Sequence, residues 1–300
     1  MDCHTTNSGS TLAGVGSIAL VGHPNVGKSV LFQRLTGQRV IVSNYPGTTV
    51  EVSRSALRDQ PNITLVDTPG VIAFPPKSDD ERVTEQLLLD ESLNAIVQVG
   101  DAKNLRRTLL FTVQLAEMGV PMVLALNMMD EANTRGVVIQ HQKLAERLGL
   151  PIIPTTAIRN QGVKEIDSVL RTITPINLKI SYPQVIEDLV TELSFHIPNA
   201  PISKRAMALL WLSDDKESEQ WLLQHAGSSK VDTLEKILAE AQKSSSLSLS
   251  EIIQNTRLDY IRELADDVLT ESGSHWRGFS ASLGTLTTHP VWGVFIMLAV

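Results

Sequence analysis

The sequence predicts an α/β fold with a doubly wound, mostly parallel sheet, followed by a small all-α helical bundle. Strand-like and helical runs alternate from Ser17 to Ile173, which is typical of parallel strands joined by helices. From Tyr182 the apolar spacing is helical, without intervening strands. A chain of 300 residues is long enough for two domains. We place them at residues 17–176 and 177–275.

Composition and charge narrow the classes of function. Residues 1–16 lack the basic and apolar regions of a signal peptide, and we expect a disordered tail. The single cysteine, Cys3, excludes an intramolecular disulfide. Residues 1–180 carry 17 basic and 17 acidic side chains, whereas residues 181–280 carry 9 and 16. Because an acidic domain repels a phosphate backbone, we expect no nucleic acid partner.

The first strand-like run, Ser17 to Val21, leads into a loop that reads G-H-P-N-V-G-K-S and then into a helical run, Val30 to Leu35. This order is typical of a phosphate-binding loop, in which glycines free the backbone N–H groups to surround phosphate oxygens. We expect Lys28 to contact the β- and γ-phosphates and the Ser29 hydroxyl to bind Mg²⁺. The nucleotide-binding residues predicted in this loop are Gly22, His23, Pro24, Asn25, Val26, Gly27, Lys28 and Ser29.

A second motif follows the next strands. A turn-rich segment begins at Val40 and becomes strand-like from Val50 to Leu57, and a further run, Ile63 to Val66, ends in D-T-P-G. Alone, such a tetrapeptide is an ordinary turn. At this distance behind a phosphate-binding loop, an aspartate suits Mg²⁺ by way of water, and a glycine N–H suits a γ-phosphate. The residues predicted here are Asp67, Thr68, Pro69 and Gly70.

A third motif indicates which base is bound. The strand-like runs Ala95 to Val99 and Met122 to Leu126 flank a helical run, Leu105 to Met118. The second strand ends in N-M-M-D, and a carboxylate at its last position can accept from both N1–H and the 2-amino group of guanine. Adenine has no such donor pair, so the motif favours GTP over ATP. The residues predicted to bind the base are Asn127, Met128, Met129 and Asp130.

The last strand-like run, Leu150 to Pro154, precedes T-T-A and a helical run, Val163 to Ile173. A backbone N–H in that tripeptide is placed to meet guanine O6, although only its position supports this interpretation. The residues concerned are Thr155, Thr156 and Ala157.

Together with G-T-T-V-E at residues 47–51, these motifs resemble the five G-motifs of a translation-factor-class small GTPase, which has a P-loop GTPase fold. More narrowly, the run from Val99 to Ala132 resembles the cytosolic G domain of the ferrous iron transport protein B (FeoB) family. The likeness covers residues 17–174 closely. It implies a GTP-binding, GTP-hydrolysing domain of an Fe²⁺ transporter, whose helical domain couples the nucleotide state to transport. The alternative is a free-standing soluble GTPase of the ribosome-assembly or RNA-modification type.

The resemblance also implies roles for individual residues. Thr49 corresponds to the first-switch residue that closes on Mg²⁺, next to Gly47 and Thr48 in the nucleotide site. Asn25 corresponds to a phosphate-loop asparagine associated with a bound K⁺, which would offset developing negative charge. The implied catalytic residues are Asn25, Lys28 and Thr49. The implied metal ligands are Ser29, Thr49 and Asp67 for Mg²⁺, and Asn25 for K⁺.

Four positions depart from the pattern of the family or of many other GTPases. Val71 stands where many GTPases have a water-orienting glutamine, so we assign no general base. Pro75 and Pro76 are expected to stiffen the second switch. His23 replaces a common asparagine; its side chain either contacts the nucleotide or lies in solvent, and we favour solvent.

In the second domain, the longest helical run extends from Leu249 to Leu269, and Ser248 with Glu251 forms a capping box before it. We expect a bundle packed beside the G domain, which either links the nucleotide state to a membrane part or only stabilises its neighbour. Residues 276–300 end in an apolar run, Val291 to Val300, that is half the length of a membrane span. It is either a short buried tail or the start of a transmembrane helix that a longer parent chain would complete, and we favour the transmembrane helix, with Trp292 as an interfacial anchor. The predicted location is the cytoplasmic side of the cell inner membrane, with Fe²⁺ as a partner of the membrane part alone.

Overall fold

The computed structural model describes residues 16–36, 40–176, 178–244 and 248–271. In chain order the strands are β1 (Gly16–Gly22), β2 (Ile41–Asn44), β3 (Glu51–Ala56), β4 (Ile63–Asp67), β5 (Ala95–Asp101), β6 (Met122–Asn127), β7 (Val137–Ile139), β8 (Ile152–Pro154) and β9 (Leu269–Glu271). The helices are α1 (Lys28–Leu35), α2 (Asp79–Asp90), α3 (Leu105–Glu117), α4 (Met129–Thr134), α5 (His141–Leu148), α6 (Val163–Leu170), α7 (Gln184–His196), α8 (Lys204–Leu212), α9 (Lys216–Ala226), α10 (Ser228–Ser244) and α11 (Leu249–Val268).

The main sheet has seven strands in the order β2-β3-β4-β1-β5-β6-β8. Strands β4, β1, β5, β6 and β8 are parallel, whereas β2 and β3 pair antiparallel at one edge. Because parallel strands end at the same edge, the loops after β1, β4 and β6 lie side by side. The predicted mostly parallel sheet is confirmed.

Helices cover both faces of this sheet. In β1, Ile18 and Leu20 pack with the apolar side chains of α1 and α6, and Ala19 and Val21 pack with those of α2, α3 and α5. This alternation buries both faces, which explains the nearly continuous apolar sequence of β1. The doubly wound arrangement follows from it.

Five elements of the first domain were absent from the prediction, namely β2, β7, α2, α4 and α5. Strand β2 lies in the segment predicted as turn-rich, and all four of its residues are exposed. A strand with neither face buried carries no period-2 signal, so the prediction was wrong there. Helix α2 was also missed, although Ser78 caps it by accepting from the Glu81 backbone N–H.

The second domain consists of α7 to α11, and the predicted capping box of α11 is confirmed. Ser248 Oγ accepts from the Glu251 N–H, and the Glu251 carboxylate accepts from the Ser248 N–H. The expectation of helices without strands is wrong at the end, because β9 pairs antiparallel with β7 of the first domain. The chain thus returns to the first domain after α11.

A buried polar network joins α11 to α3. The Arg257 guanidinium lies 2.8 Å from Glu117 Oε2, and their side chains are 6% and 1% exposed. The Tyr182 hydroxyl donates to Glu117 Oε1 at 2.7 Å and accepts from Arg257 Nε at 3.0 Å. These contacts confirm that the bundle packs against the G domain.

Among the described residues, no helix is both long enough and apolar enough to cross a membrane. The predictions for residues 1–15 and 276–300, including the membrane segment from Val291, lie outside the described residues. Gly16, which we placed in the tail, is the first residue of β1.

Candidate nucleotide-binding site

A cavity of about 570 Å³ opens at the carboxyl ends of β1 and β6. It brings together residues from all the predicted motifs except G-T-T at residues 47–49. The predicted residues that line it are His23, Pro24, Asn25, Gly27, Lys28, Ser29, Gly70, Asn127, Met128, Asp130, Thr156 and Ala157. Val30, Asp80, Glu131 and Ile158 also line it and were not predicted, although all of them except Asp80 directly follow a predicted motif.

The remaining predicted residues do not line this cavity. They are Gly22, Val26, Gly47, Thr48, Thr49, Asp67, Thr68, Pro69, Met129 and Thr155. Two of these residues stabilise the loops around the cavity. The Val26 side chain is buried, and Thr68 donates from its N–H and its hydroxyl to the Leu20 carbonyl. Thr49 instead lines a separate cavity beside Arg82 of α2 and Glu217 of α9. The structure therefore does not bring Thr49 next to Ser29.

Backbone geometry explains the glycines of the phosphate-binding loop. Gly27 has φ +89° and lies against the Asn127 side-chain amide, so a Cβ there would both strain the backbone and collide with Asn127. Gly70 lies so close to Pro24 that a Cβ would come within 2.8 Å of the proline ring. The Val71 N–H also donates to the Gly22 carbonyl at 3.0 Å. The loop after β4 is thereby fixed directly to the loop after β1.

Lys28 and Asp67 form an ion pair at the floor of the site. Lys28 Nζ lies 2.6 Å from Asp67 Oδ1 and also donates to the Thr68 carbonyl. The two side chains are 12% and 14% exposed. Because α1 begins and β4 ends at the same edge of the sheet, residues 39 positions apart in sequence meet here. Lys28 also lines the cavity, so its ammonium group can donate to the oxygens of a phosphate bound there.

Asn127 connects three of the loops. Its Nδ2 donates to the Val26 carbonyl at 2.9 Å, and its Oδ1 accepts from the Ala157 N–H at 3.0 Å and from the Thr155 hydroxyl at 3.2 Å. Asn127 is 4% exposed. Its side chain therefore sets the spacing between the phosphate-binding loop and the T-T-A loop. Of the backbone N–H groups in T-T-A, one of which we expected to meet guanine O6, that of Ala157 is directed towards Asn127.

Asp130 occupies the open side of the cavity. Met128 has φ +61° and is the N-cap of α4, so the next turn of helix carries Asp130 towards the cavity. The Asp130 carboxylate lies 3.5 Å from the Arg159 guanidinium and is 23% exposed. Exposure leaves it available to a ligand, and the long distance makes the ion pair weak.

His23 is not in solvent, and this interpretation was wrong. Its side chain is 3% exposed and packs edge-on to Phe111 of α3, with ring centroids 5.8 Å apart. Burial, with a contribution from Arg107, lowers the pKa of His23 to about 4. The imidazole is therefore neutral at physiological pH and belongs to the apolar contact between the loop and α3.

The segment after Gly70 is held by side chains that sequence reasoning missed. The Glu81 carboxylate accepts from the backbone N–H groups of Ile72, at 2.9 Å, and Lys77, at 2.7 Å. The Gln114 amide accepts from the Phe74 N–H and donates to the Phe74 carbonyl. We expected rigidity from the two prolines, whereas these hydrogen bonds tie the segment to α2 and α3. The S-x-x-E pattern at Ser78 was a usable signal for α2.

Comparisons with known proteins agree with this architecture. Residues 16–170 match the family model for ferrous iron transport protein B, and residues 182–270 match that for the FeoB cytosolic helical domain. A Staphylococcus aureus Fe(2+) transporter FeoB is 31% identical over 290 residues, which cover 94% of this chain and 43% of the relative. The Escherichia coli Fe(2+) transporter FeoB is 37% identical over 155 residues, 50% of this chain and 20% of the relative. The chain thus spans less than half the length of these relatives.

Solved structures extend the likeness to both domains. An S. thermophilus NFeoB mutant bound to GDP superposes with a TM-score of 0.76 at 28% identity, covering 85% of this chain and 100% of that one. The cytosolic domain of L. pneumophila FeoB superposes with a TM-score of 0.73 at 29% identity, covering 85% and 99%. With its P-loop GTPase fold and the helical domain that follows it, the chain belongs to the ferrous iron transport protein B family.

Proposed function

We propose that this chain binds GTP and hydrolyses it to GDP and phosphate. The observation that carries the proposal is the single cavity shared by the phosphate-binding loop, Gly70, Asn127 and Asp130. A GDP-bound structure of the S. thermophilus FeoB G-domain supports it, since that domain is similar to this one. Lys28 would hold the phosphates and Asp130 the guanine base. Val71 is fully buried and apolar, so charge stabilisation and positioning would supply most of the catalysis.

Magnesium fits the oxygen groups at the phosphate end. The Ser29 hydroxyl lines the cavity, and Asp67 ends β4 beside Lys28. Hydroxyl and carboxylate oxygens are the ligands that Mg²⁺ prefers, and the ion would offset charge on the β- and γ-phosphates. Thr49 would complete this set only if the segment around residues 47–49 moved towards Ser29. Asn25, which has φ +63° at the cavity wall, would bind K⁺.

A wider role follows from the family. The relatives are Fe(2+) transporters, and this chain would be the nucleotide-dependent part of one, on the cytoplasmic side of the cell inner membrane. Fe²⁺ would then be the cargo of membrane segments beyond the described residues. The alternative of a soluble GTPase in ribosome assembly or RNA modification is not favoured, because the second domain matches the FeoB helical domain.

The variant Lys28→Ala tests nucleotide binding. Loss of the ammonium group should weaken binding of a non-hydrolysable GTP analogue by at least about 100-fold, since a charge-assisted contact to phosphate is lost. Titration calorimetry measures the affinity, and phosphate release measures hydrolysis. Lys164→Ala is the matched control, because Lys164 is exposed on α6. Unchanged affinity in Lys28→Ala would refute the assignment of the phosphate-binding loop.

A further inference from the structure

Two buried carboxyl groups meet where the G domain packs on the helical domain. Glu85 lies on α2, the helix that follows the D-T-P-G motif, and Asp215 is the N-cap of α9. Glu85 is 0% exposed and Asp215 is 2% exposed. The contact between these helices therefore encloses two acidic side chains away from water.

The hydrogen bonds around this pair are incomplete. Within the described chain, neither carboxyl oxygen of Glu85 has a donor, and Oδ1 of Asp215 has none either. Asp215 Oδ2 accepts from the Ser218 backbone N–H at 2.7 Å, which caps α9. Glu85 and Asp215 face each other in the contact between α2 and α9, and each perturbs the ionisation of the other. Two carboxylates only accept, so a hydrogen bond between them requires that one is protonated.

The charged groups that face Glu85 are acidic. Asp215 and Glu217, both at the start of α9, act on it. Glu217 is itself 7% exposed and accepts from Gln86 Nε2 at 2.7 Å. Arg82 is the basic residue of α2, and its Nε lies 3.9 Å from Glu217 Oε1. No cation in the described ranges is paired with Glu85, and a buried unpaired carboxylate is costly.

These surroundings decide which group holds a proton. Burial, and then the charge of Asp215, raises the pKa of Glu85 well above its ordinary value. Burial also raises the pKa of Asp215, but hydrogen bonds from Ser218 oppose that rise. Asp215 is therefore the group that is ionised, and Glu85 is the group that holds the proton.

We propose that the interface between α2 and α9 is a proton-binding site, in which the Glu85 carboxyl donates its proton to Asp215 Oδ1. Asp215 keeps its charge and its cap on α9, and the closed contact between the two helices contains one bound proton. When α2 separates from α9, water reaches Glu85 and the proton leaves to solvent. The closed contact is therefore weakened as pH rises. This inference uses no nucleotide chemistry and stands independently of the proposed function.

The sign of the pH dependence follows from linkage. A glutamate in the unfolded chain has a pKa of about 4.3, so between that pH and the raised pKa the folded protein binds one proton more than the unfolded chain. Stability contributed by this proton is fully present below pH of about 4.3 and is lost as pH rises through the raised pKa. Across that window, one proton changes the unfolding equilibrium constant tenfold per pH unit.

The test compares the full chain with Glu85→Gln, which keeps the shape and a donor but cannot ionise. Urea unfolding is measured at pH 5, 6, 7 and 8. For each unit of rising pH, the ratio of the unfolding equilibrium constant of the native protein to that of the variant should increase by up to tenfold. Glu219→Gln is the control, because it makes the same substitution at an exposed position on α9. Parallel pH profiles for the native protein and Glu85→Gln would overturn the proposal.

A second measurement covers the case in which Glu85→Gln does not fold. In protein labelled with ¹³C at glutamate carboxyl carbons, the Glu85 signal should stay at its protonated position while exposed glutamates ionise near pH of about 4.3, and it should titrate only at higher pH. Asp215→Asn keeps a capping oxygen on α9 and removes the facing charge, so it should lower the pH at which that signal titrates. A Glu85 signal that ionises near pH 4.3, or that is indifferent to Asp215→Asn, would contradict the shared proton.

Discussion

The buried ion pair between the two domains gives the largest stability prediction. Arg257→Met removes the guanidinium from Glu117, whose side chain is 1% exposed, and leaves only the Tyr182 hydroxyl to stabilise a buried carboxylate. Removing one partner of a buried pair costs about 3–5 kcal/mol. A typical domain is stable by about 5–15 kcal/mol, so this single change should remove a large part of the free energy of unfolding. Urea denaturation monitored by circular dichroism measures it.

A double variant separates the pair from its packing. Replacing both charges, in Glu117→Leu with Arg257→Met, leaves no buried charge, so it should be more stable than Arg257→Met alone. The Tyr182 hydroxyl then lacks both partners, at a cost of about 1–3 kcal/mol, which adding Tyr182→Phe should recover.

The matched control lies on the same helix. Arg262 pairs with Asp259 at 2.7 Å, but the two side chains are 67% and 69% exposed. Arg262→Met should therefore change the free energy of unfolding by less than about 1 kcal/mol. The reasoning fails if Arg257→Met is equally mild, or if the double variant loses the sum of the two single losses.

Three further predictions concern the site and α11. Asp130→Asn should relax base selectivity, since the carboxylate that accepts from guanine is lost; competition between GTP and xanthosine triphosphate measures it, and an undiminished preference for GTP speaks against the assignment. Asn25→Ala should abolish any faster hydrolysis in KCl than in NaCl; equal rates in the native protein would remove the K⁺ role. Ser248→Ala should cost about 1 kcal/mol through the lost cap of α11, whereas Ser248→Gly should cost only a few tenths, and equal thermal midpoints for all three proteins would contradict this.

The short motifs could be found in the sequence because the backbone conformation at each position of a motif restricts which residue types can stand there. Gly27 needs a positive φ, Lys28 follows at the first helical position, and Asn127 ends a buried strand. These relations extend over a few residues, so spacing alone reveals them. The order of most strands and helices was recoverable for the same reason. Strand β2, which exposes both faces and has no periodic signal, was missed, as were β7, α2, α4 and α5.

The contacts between distant segments could not be predicted. Nothing in the sequence indicates that Glu81 and Gln114 bind the backbone on both sides of Ala73, or that His23 packs on Phe111. Such contacts depend on how helices lie across the sheet, and many arrangements satisfy the same apolar pattern. The same limit applies to β9, whose three residues become a strand only because β7 lies beside them.

The sequence by itself determined the doubly wound sheet, the phosphate-binding and base-reading motifs, and the family, because local chemistry and spacing specify them. Only the tertiary structure decided which of those residues share a cavity, that Thr49 lies in a different one, and that Glu85 meets Asp215 with no cation from the described residues paired to it. The physical reason is that burial removes water, and the energy of a charge or a polar group then depends on neighbours that may be far away in sequence.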